Sequence, residues 1–329
     1  MQYSSIGKEE WDKALEILLS SHNIFASVSN DFGQDYELIK PDDIARITYN
    51  KPKPATSLKN IFLPVKENVT TEKTDIKPRI IIGAPNCDIE GLSILDEIYL
   101  DKDFTDTFYK KRRENTLLIS SDCFGIQEHC HCMSYNILPY AVDKGDLAVI
   151  NLNGKVIFRI ISEKGENFLK TIPGITACDE KNIIDTIENE HKTTESLLNE
   201  ANKGLPDYEK TGKIVAGADR EIWKKYSKRC VSCGACATIC PTCTCFLLID
   251  KPGFEKVKQL DACQYPGFER VAGGEDALHE LPDRFRNRYM CKYVWKPMKF
   301  KSIACTGCGR CIEACIGKIN KNELFMELA

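Results

Sequence analysis

Two cysteine runs near the C-terminus carry the strongest chemical signal in this 329-residue chain. The first reads Cys230-x2-Cys233-x2-Cys236-x3-Cys240-Pro241, and the second Cys305-x2-Cys308-x2-Cys311-x3-Cys315. This is the spacing with which bacterial dicluster proteins hold two 4Fe-4S cubanes. Three thiolates spaced by two residues wrap one cubane, and the fourth cysteine of each run reaches the other cluster. The spacing therefore predicts Cys230, Cys233, Cys236 and Cys315 on one cluster, with Cys305, Cys308, Cys311 and Cys240 on the second. Gly234, Gly307 and Gly309 supply the backbone freedom such tight loops need. A pair of zinc ribbons is the competing reading, but zinc sites favour two separated C-x2-C pairs per tetrahedron. Ile316 stands where the second run would usually carry proline.

A second group lies in the N-terminal half: Cys123-x6-Cys130-x-Cys132, with Cys87 one predicted strand earlier. Three cysteines within ten residues and a fourth from a neighbouring strand end can close a four-thiolate site. A third 4Fe-4S cluster is expected there, with structural zinc and free or redox-reactive thiols as alternatives. His129 and His131 flank the group without Rieske spacing, so neither is expected to ligate. Five of the 17 cysteines are left over: Cys178, Cys243, Cys245, Cys263 and Cys291. Four of them would suffice for a further cluster. The plainer reading is small buried residues packing the cluster domain, above all for the isolated Cys178. Arg284–Arg288 reads as a solvated face, or else as a docking patch or a source of cationic charge that raises the potential of a nearby cluster.

The elements that must position these thiols follow from periodicity. Residues 8–20 place Trp11, Leu15, Leu18 and Leu19 on one helical face. Residues 51–78, rich in Lys, Pro and Thr, read as an extended surface segment. Arg79–Ala84 is a buried strand, Asp88–Leu100 helical, and Thr116–Ser120 a second buried strand, which makes a parallel α/β unit. Cys87 and Cys123 then fall just past the carboxyl ends of strands, where open α/β sheets hold ligands. Asn153-Gly154 between two strand-like runs over 147–161 marks a hairpin. Residues 180–202 are polar and helical, and Gly204-Leu-Pro206 starts a linker. The expected organisation is a mixed α/β domain over 1–205, followed by an α-helical dicluster ferredoxin domain over 206–329. The helical expectation rests on the 75 residues between the starts of the two runs, a charged and helix-compatible stretch, where a compact bacterial ferredoxin sets its runs much closer.

Composition is ordinary for a globular protein, 43% hydrophobic and 28% charged, with net charge −3. Nothing in it points to nucleic acid or an acidic membrane surface, and no apolar run reaches the ~18–20 residues of a membrane span. No export signal is read at the N-terminus. Tightly grouped cysteines in such a chain point to metal in a reducing compartment, hence a cytoplasmic location. No dinucleotide fingerprint, Walker loop or nucleophile elbow is present, so neither a flavin nor a nicotinamide site is expected in this chain.

CVSCGACATICPTCTCF, the DAC at 261–263, RNRYMCKY and CTGCGRC, together with APNCDIEGLSILDEIYL, FYKKRRENTLLISSDC and CHCMS, resemble one family. It is the iron–sulfur subunit family shared by anaerobic sulfite reductase and soluble sulfhydrogenase (in the latter, the β subunit), with relatives in heterodisulfide reductase-type complexes. The resemblance covers most of residues 60–329. It implies a wiring subunit between a flavoprotein that handles NAD(P)H and a catalytic subunit of siroheme, Ni-Fe or heterodisulfide type. It also implies a cluster on the N-terminal cysteines, the end at which a partner subunit is expected. Cys291 stands where the family usually shows a histidine, which leaves an extra cluster or a changed ligand open. An iron–sulfur sensor is the alternative from another class, and an autonomous reductase with its own flavin a third; neither an effector or DNA-binding element nor a flavin fingerprint supports them.

Overall fold

The computed structural model describes residues 2–71 and 77–329. Strands β1 (Tyr3–Gly7), β2 (Asn23–Asn30) and β3 (Gly33–Leu38) precede β4 (Lys66–Asn68), β5 (Arg79–Ala84) and β6 (Thr116–Ser121). They are followed by β7 (Leu147–Leu152), β8 (Lys155–Ile160), β9 (Thr176–Ala177), β10 (Phe246–Lys251) and β11 (Glu255–Leu260). Eight form one mixed sheet in the order β3-β2-β5-β6-β7-β8-β1-β9. Its centre, β2-β5-β6-β7, is parallel, and the outer pairings are antiparallel.

The central strands are continuous apolar runs because helices cover both faces of the sheet. Ile80 and Ile82 of β5 face a core that contains Trp11 and Leu15 of the helix Lys8–Leu18, as the amphipathic spacing required. Ile81 points to the other face, against Ile89, Leu92 and Leu95 of the helix Asn86–Tyr99. The long helix Lys181–Ala201 covers β7 and β8 through Ile183 and Ile187, and Cys178 packs in that same apolar cluster. The hairpin turns at Asn153 and Gly154, both at positive φ (52° and 77°). Residues 51–78 depart from the expected exposed segment. Leu58, Phe62 and Leu63 are fully buried, a short helix spans Lys59–Phe62, and β4 follows; residues 72–76 lie outside the described residues.

After residue 206, the helices Tyr208–Gly217, Arg220–Ser227, Leu281–Met290 and Lys321–Leu328 pack through Trp223, Phe285, Tyr289, Tyr293 and Phe325. This part is not purely helical. β10 and β11 form an antiparallel hairpin between the two cysteine runs, and β11 also pairs with β4, so a three-stranded sheet joins residues 66–68 to residues 255–260. The turn falls at Pro252-Gly253, after the apolar run Phe246–Ile249, a strand and turn signal that the helix-compatible reading of this stretch passed over. Further links cross from one half to the other. Arg310 makes a bidentate ion pair with Asp88 at 2.5 and 2.8 Å, both side chains being buried, and Lys53 pairs with Glu313 at 2.6 Å. Among the described residues, no helix is long and apolar enough to cross a membrane.

Candidate iron–sulfur centres

The cysteine-rich loops sit where sequence elements stop. β5 ends at Ala84 and Cys87 enters the next helix; β6 ends at Ser121 and Cys123 follows two residues later. The loop after β6 is fixed from below by Asp122, which takes a bidentate pair from buried Arg159 (2.8 and 2.9 Å) and a contact with His191 at 2.8 Å. The C-terminal loops turn through glycine: Gly234, Gly307 and Gly309 have φ of 71°, 65° and 78°. Gly307 also admits a close approach. A Cβ there would meet the His131 carbonyl oxygen at 2.5 Å and the Cys132 Cα at 2.6 Å, while His131 N–H donates to the Gly307 carbonyl at 2.8 Å.

Three cavities result, each walled by thiols. Cys230, Cys233, Cys236 and Cys315, joined by Cys311, frame one. Cys240, Cys305, Cys308 and Cys311 frame a second. Cys87, Cys123, Cys130 and Cys132, joined by Cys308, frame a third. All twelve cysteines singled out by spacing line these cavities. Cys311 belongs to the walls of the first and second, and Cys308 to those of the second and third, so the cavities form a contiguous series. The thiols stand around spaces rather than meeting at a point. Among the described residues, no group of three or more His, Cys, Asp or Glu is gathered as one ion would need.

Besides Lys53 and Arg310, which have carboxylate partners, three buried cations here have none among their hydrogen-bond partners. Lys292 Nζ, buried, lies 3.0 Å from Cys240 Sγ and donates to Thr242 Oγ1 (2.7 Å) and the Ala304 carbonyl (2.8 Å). Buried Arg288 donates to the Cys236 carbonyl at 3.1 Å, and its Nε has no partner. Buried Lys321 donates to His131 Nε2 at 2.8 Å, which leaves the His131 Nδ1 proton for the His129 carbonyl, also at 2.8 Å. His131 is thus engaged as a neutral imidazole, with burial and then Lys321 lowering its pKa. Unpaired buried cations are costly unless anions lie close by, so the donor set fits an anionic thiolate-bound group. Burial would lower the Lys292 ammonium, but the Cys240, Cys243 and Cys305 thiolates raise it by more.

The thiols respond in kind. Burial pushes Cys132, Cys236 and Cys308 each up to about 12. Cys240 moves the opposite way: a hydrogen bond with the Cys243 thiol, then Lys292 and Arg288, outweigh its burial. Cys305 is also lowered, because Lys321 and Lys292 together exceed the effect of burial. A cluster held by these thiols would require loss of the protons that burial favours, and the cations would ease that loss at the second cavity.

Sequence reasoning did not single out Lys292 or Lys321, and of its readings of Arg284–Arg288 the solvated face does not hold, whereas the source of cationic charge agrees with the burial. Arg284 and Arg288 are 6% and 4% exposed, not a solvated face. The signal was available: Arg284, Arg288, Lys292 and Lys296 recur every four residues along one helical stripe. Like charges at that spacing repel on a solvated helix, so the stripe required an anionic neighbour.

Residues 229–319 match the 4Fe-4S dicluster domain family, a span that contains both C-terminal runs. Along its whole length the chain is similar to sulfhydrogenase 2 subunit beta of Pyrococcus furiosus, 27% identical over 341 aligned positions that cover 100% of this chain and 98% of the relative. No solved structure matches. The two likenesses support the iron–sulfur subunit family that the cysteine motifs resemble.

Proposed function

We propose that this chain is an iron–sulfur electron-transfer subunit of a multisubunit oxidoreductase, built to carry 4Fe-4S clusters in series. Cys230, Cys233, Cys236 and Cys315 hold the first, Cys240, Cys305, Cys308 and Cys311 the second, and Cys87, Cys123, Cys130 and Cys132 the third. The observation that supports this reading is the contiguous row of thiol-walled cavities, with shared walls at Cys311 and Cys308. Bound cubanes supply one-electron exchange at potentials set by burial and by hydrogen bonds to sulfur.

The chain's own groups do the tuning. Lys292 donates toward Cys240 Sγ, the Ile319 N–H donates to Cys315 Sγ at 3.3 Å, and Lys53 approaches Cys130 Sγ at 3.6 Å. Tyr289, Tyr293 and Phe285 exclude water from the first two cavities. In the reading we propose, electrons enter from a flavoprotein subunit that handles NAD(P)H and leave to a catalytic subunit of siroheme, Ni-Fe or heterodisulfide type, in a reducing, cytoplasmic compartment. Flavin and nicotinamide belong to the partners, and residues 1–205 and 206–329 act as two interlocked units.

Iron and acid-labile sulfide, counted after anaerobic purification, test the assignment. At least about 12 of each per chain is expected, four per cubane, and Cys130→Ser is expected to lower the count by about four. A Cys130→Ser chain that keeps the full count refutes the third site. The chain alone is expected to oxidise no NAD(P)H, and intrinsic turnover would refute the wiring role.

A further inference from the structure

Five cysteines line none of the three cavities, and four of them, all but Cys178, lie near one another beside the second. The β10–β11 hairpin begins the gathering. Cys245 immediately precedes β10, and its carbonyl accepts the Asp261 N–H at 2.9 Å, which extends the ladder one step past the Phe246–Leu260 pair. Cys263 follows two residues later, and the Cys245 and Cys263 thiols lie near enough that each shifts the other's ionisation. Cys243, two residues before Cys245, makes a thiol contact with Cys240.

The fourth cysteine comes from the helix that carries the cationic stripe. Cys291 opens a π-helical turn, Cys291–Trp295, continuous with the helix Leu281–Met290. Such turns are rare and concentrate at functional sites. Lys292 and Lys296 stitch one flank of this helix to Thr242, at 2.7 Å each. Gln264 and Arg284 stitch the other, through reciprocal bonds to each other's carbonyls at 2.8 and 3.3 Å. Cys291 is held between these stitches, within electrostatic reach of Cys245.

An independent observation is Lys59. Its side chain crosses from the N-terminal half and is only 2% exposed. Its hydrogen bonds go to the carbonyls of Thr238 (2.9 Å), Cys243 (3.2 Å) and Ala237 (3.5 Å). Carbonyls satisfy its protons but leave its charge uncompensated, and a buried ammonium calls for a nearby anion.

We propose that Cys243, Cys245, Cys263 and Cys291 bind a further 4Fe-4S cluster, with Lys59 as its buried counter-charge. Each thiol gives up its proton as its sulfur bonds iron. The contact between Cys243 and Cys240 sets this cluster beside the second one, as a branch from the middle of the series. The inference rests on the iron–sulfur reading of the neighbouring cavities but is tested separately from it.

Native mass spectrometry of the full chain, reconstituted anaerobically with iron and sulfide, reads the cluster number without any variant. About 16 irons and 16 sulfides per chain are expected, against about 12 if this site is empty. Cys263→Ser and Cys291→Ser are each expected to lose about four irons while the other cluster signals persist in low-temperature electron paramagnetic resonance. A wild-type chain that saturates at about 12 irons overturns the proposal. So does a full count retained in either variant, or a Cys245–Cys263 disulfide recovered from the loaded protein. Loss of iron on Cys130→Ser reports the third site instead, so failure there leaves this outcome readable.

Discussion

Lys292 is the side chain on which the electrostatics of the second cavity turn. Its ammonium touches Cys240 Sγ at 3.0 Å and has no carboxylate to balance it. Removal of that charge disfavours the more negative, reduced state of any cluster held there. Lys292→Met is therefore expected to lower that cluster's reduction potential by roughly 60 mV or more, one tenfold step in a one-electron equilibrium, read by a potentiometric titration. An unchanged potential would mean that the cation serves packing alone. Gly307 is a second decisive position. Its φ of 65° and the 2.5 Å approach to the His131 carbonyl leave no room for a methyl group. Gly307→Ala is expected to cost about 1–3 kcal/mol in backbone strain alone and to deplete iron from the second and third sites together, measured by iron content and thermal denaturation. The need for glycine was legible from the cysteine run. The loop it admits was not, because His131 lies far away in sequence.

Among the elements, the helix Asn86–Tyr99 bears the greatest structural demand. Its first turn presents Asp88, which accepts from buried Arg310, from Tyr36 Oη at 3.0 Å and from the Leu58 N–H at 3.3 Å. Asp88→Asn leaves the guanidinium buried without its anion, and a loss of about 3–5 kcal/mol is expected, measured by denaturant unfolding under anaerobic conditions. The central strands and this helix could be read from the sequence, because RIIIGA and TLLIS are apolar runs of strand length and the helix has clear periodicity. The β10–β11 hairpin is legible only in part, from the apolar run Phe246–Ile249 before Pro252-Gly253, whereas its place in the fold is not legible. Its partner β4 is only Lys66–Asn68, nearly two hundred residues away, and carries no apolar signal of its own. The helix Leu281–Met290 reads as charged and solvated for a related reason. Composition registers its arginines, but only the gathered thiols of distant segments explain why they face inward.

At the scale of the molecule, the row of cavities starts inside the C-terminal half and reaches the seam between the two halves at the third, where Arg310–Asp88, Lys53–Glu313 and Lys321–His131 join them. The rim of the first cavity reaches solvent, with Cys233 exposed and Val231 and Ile316 nearby at 61% and 66% exposure. At the margin of the structure, β10 is an edge strand with Phe246, Leu247, Leu248 and Ile249 all exposed. An unprotected apolar edge templates strand pairing with another chain. The isolated protein is therefore expected to self-associate at high concentration, and Leu248→Lys to reduce that association in light scattering without altering iron content. Wild-type chain that stays monomeric throughout would count against the edge as a sticky surface.

The inward cations have a consequence for the life of the protein. Lys59, Arg288, Lys292 and Lys321 are buried without carboxylates, so removal of iron and sulfide leaves like charges facing one another in a dry interior. Anaerobic chelation is expected to unfold the C-terminal half rather than yield a stable empty form, and loss of helical circular dichroism in step with iron release would record it. In a cell, an unloaded copy would then be an open substrate for proteases. The abundance of the protein would follow the supply of iron and sulfide, so that starvation thins its population instead of filling it with inert copies that compete for partners.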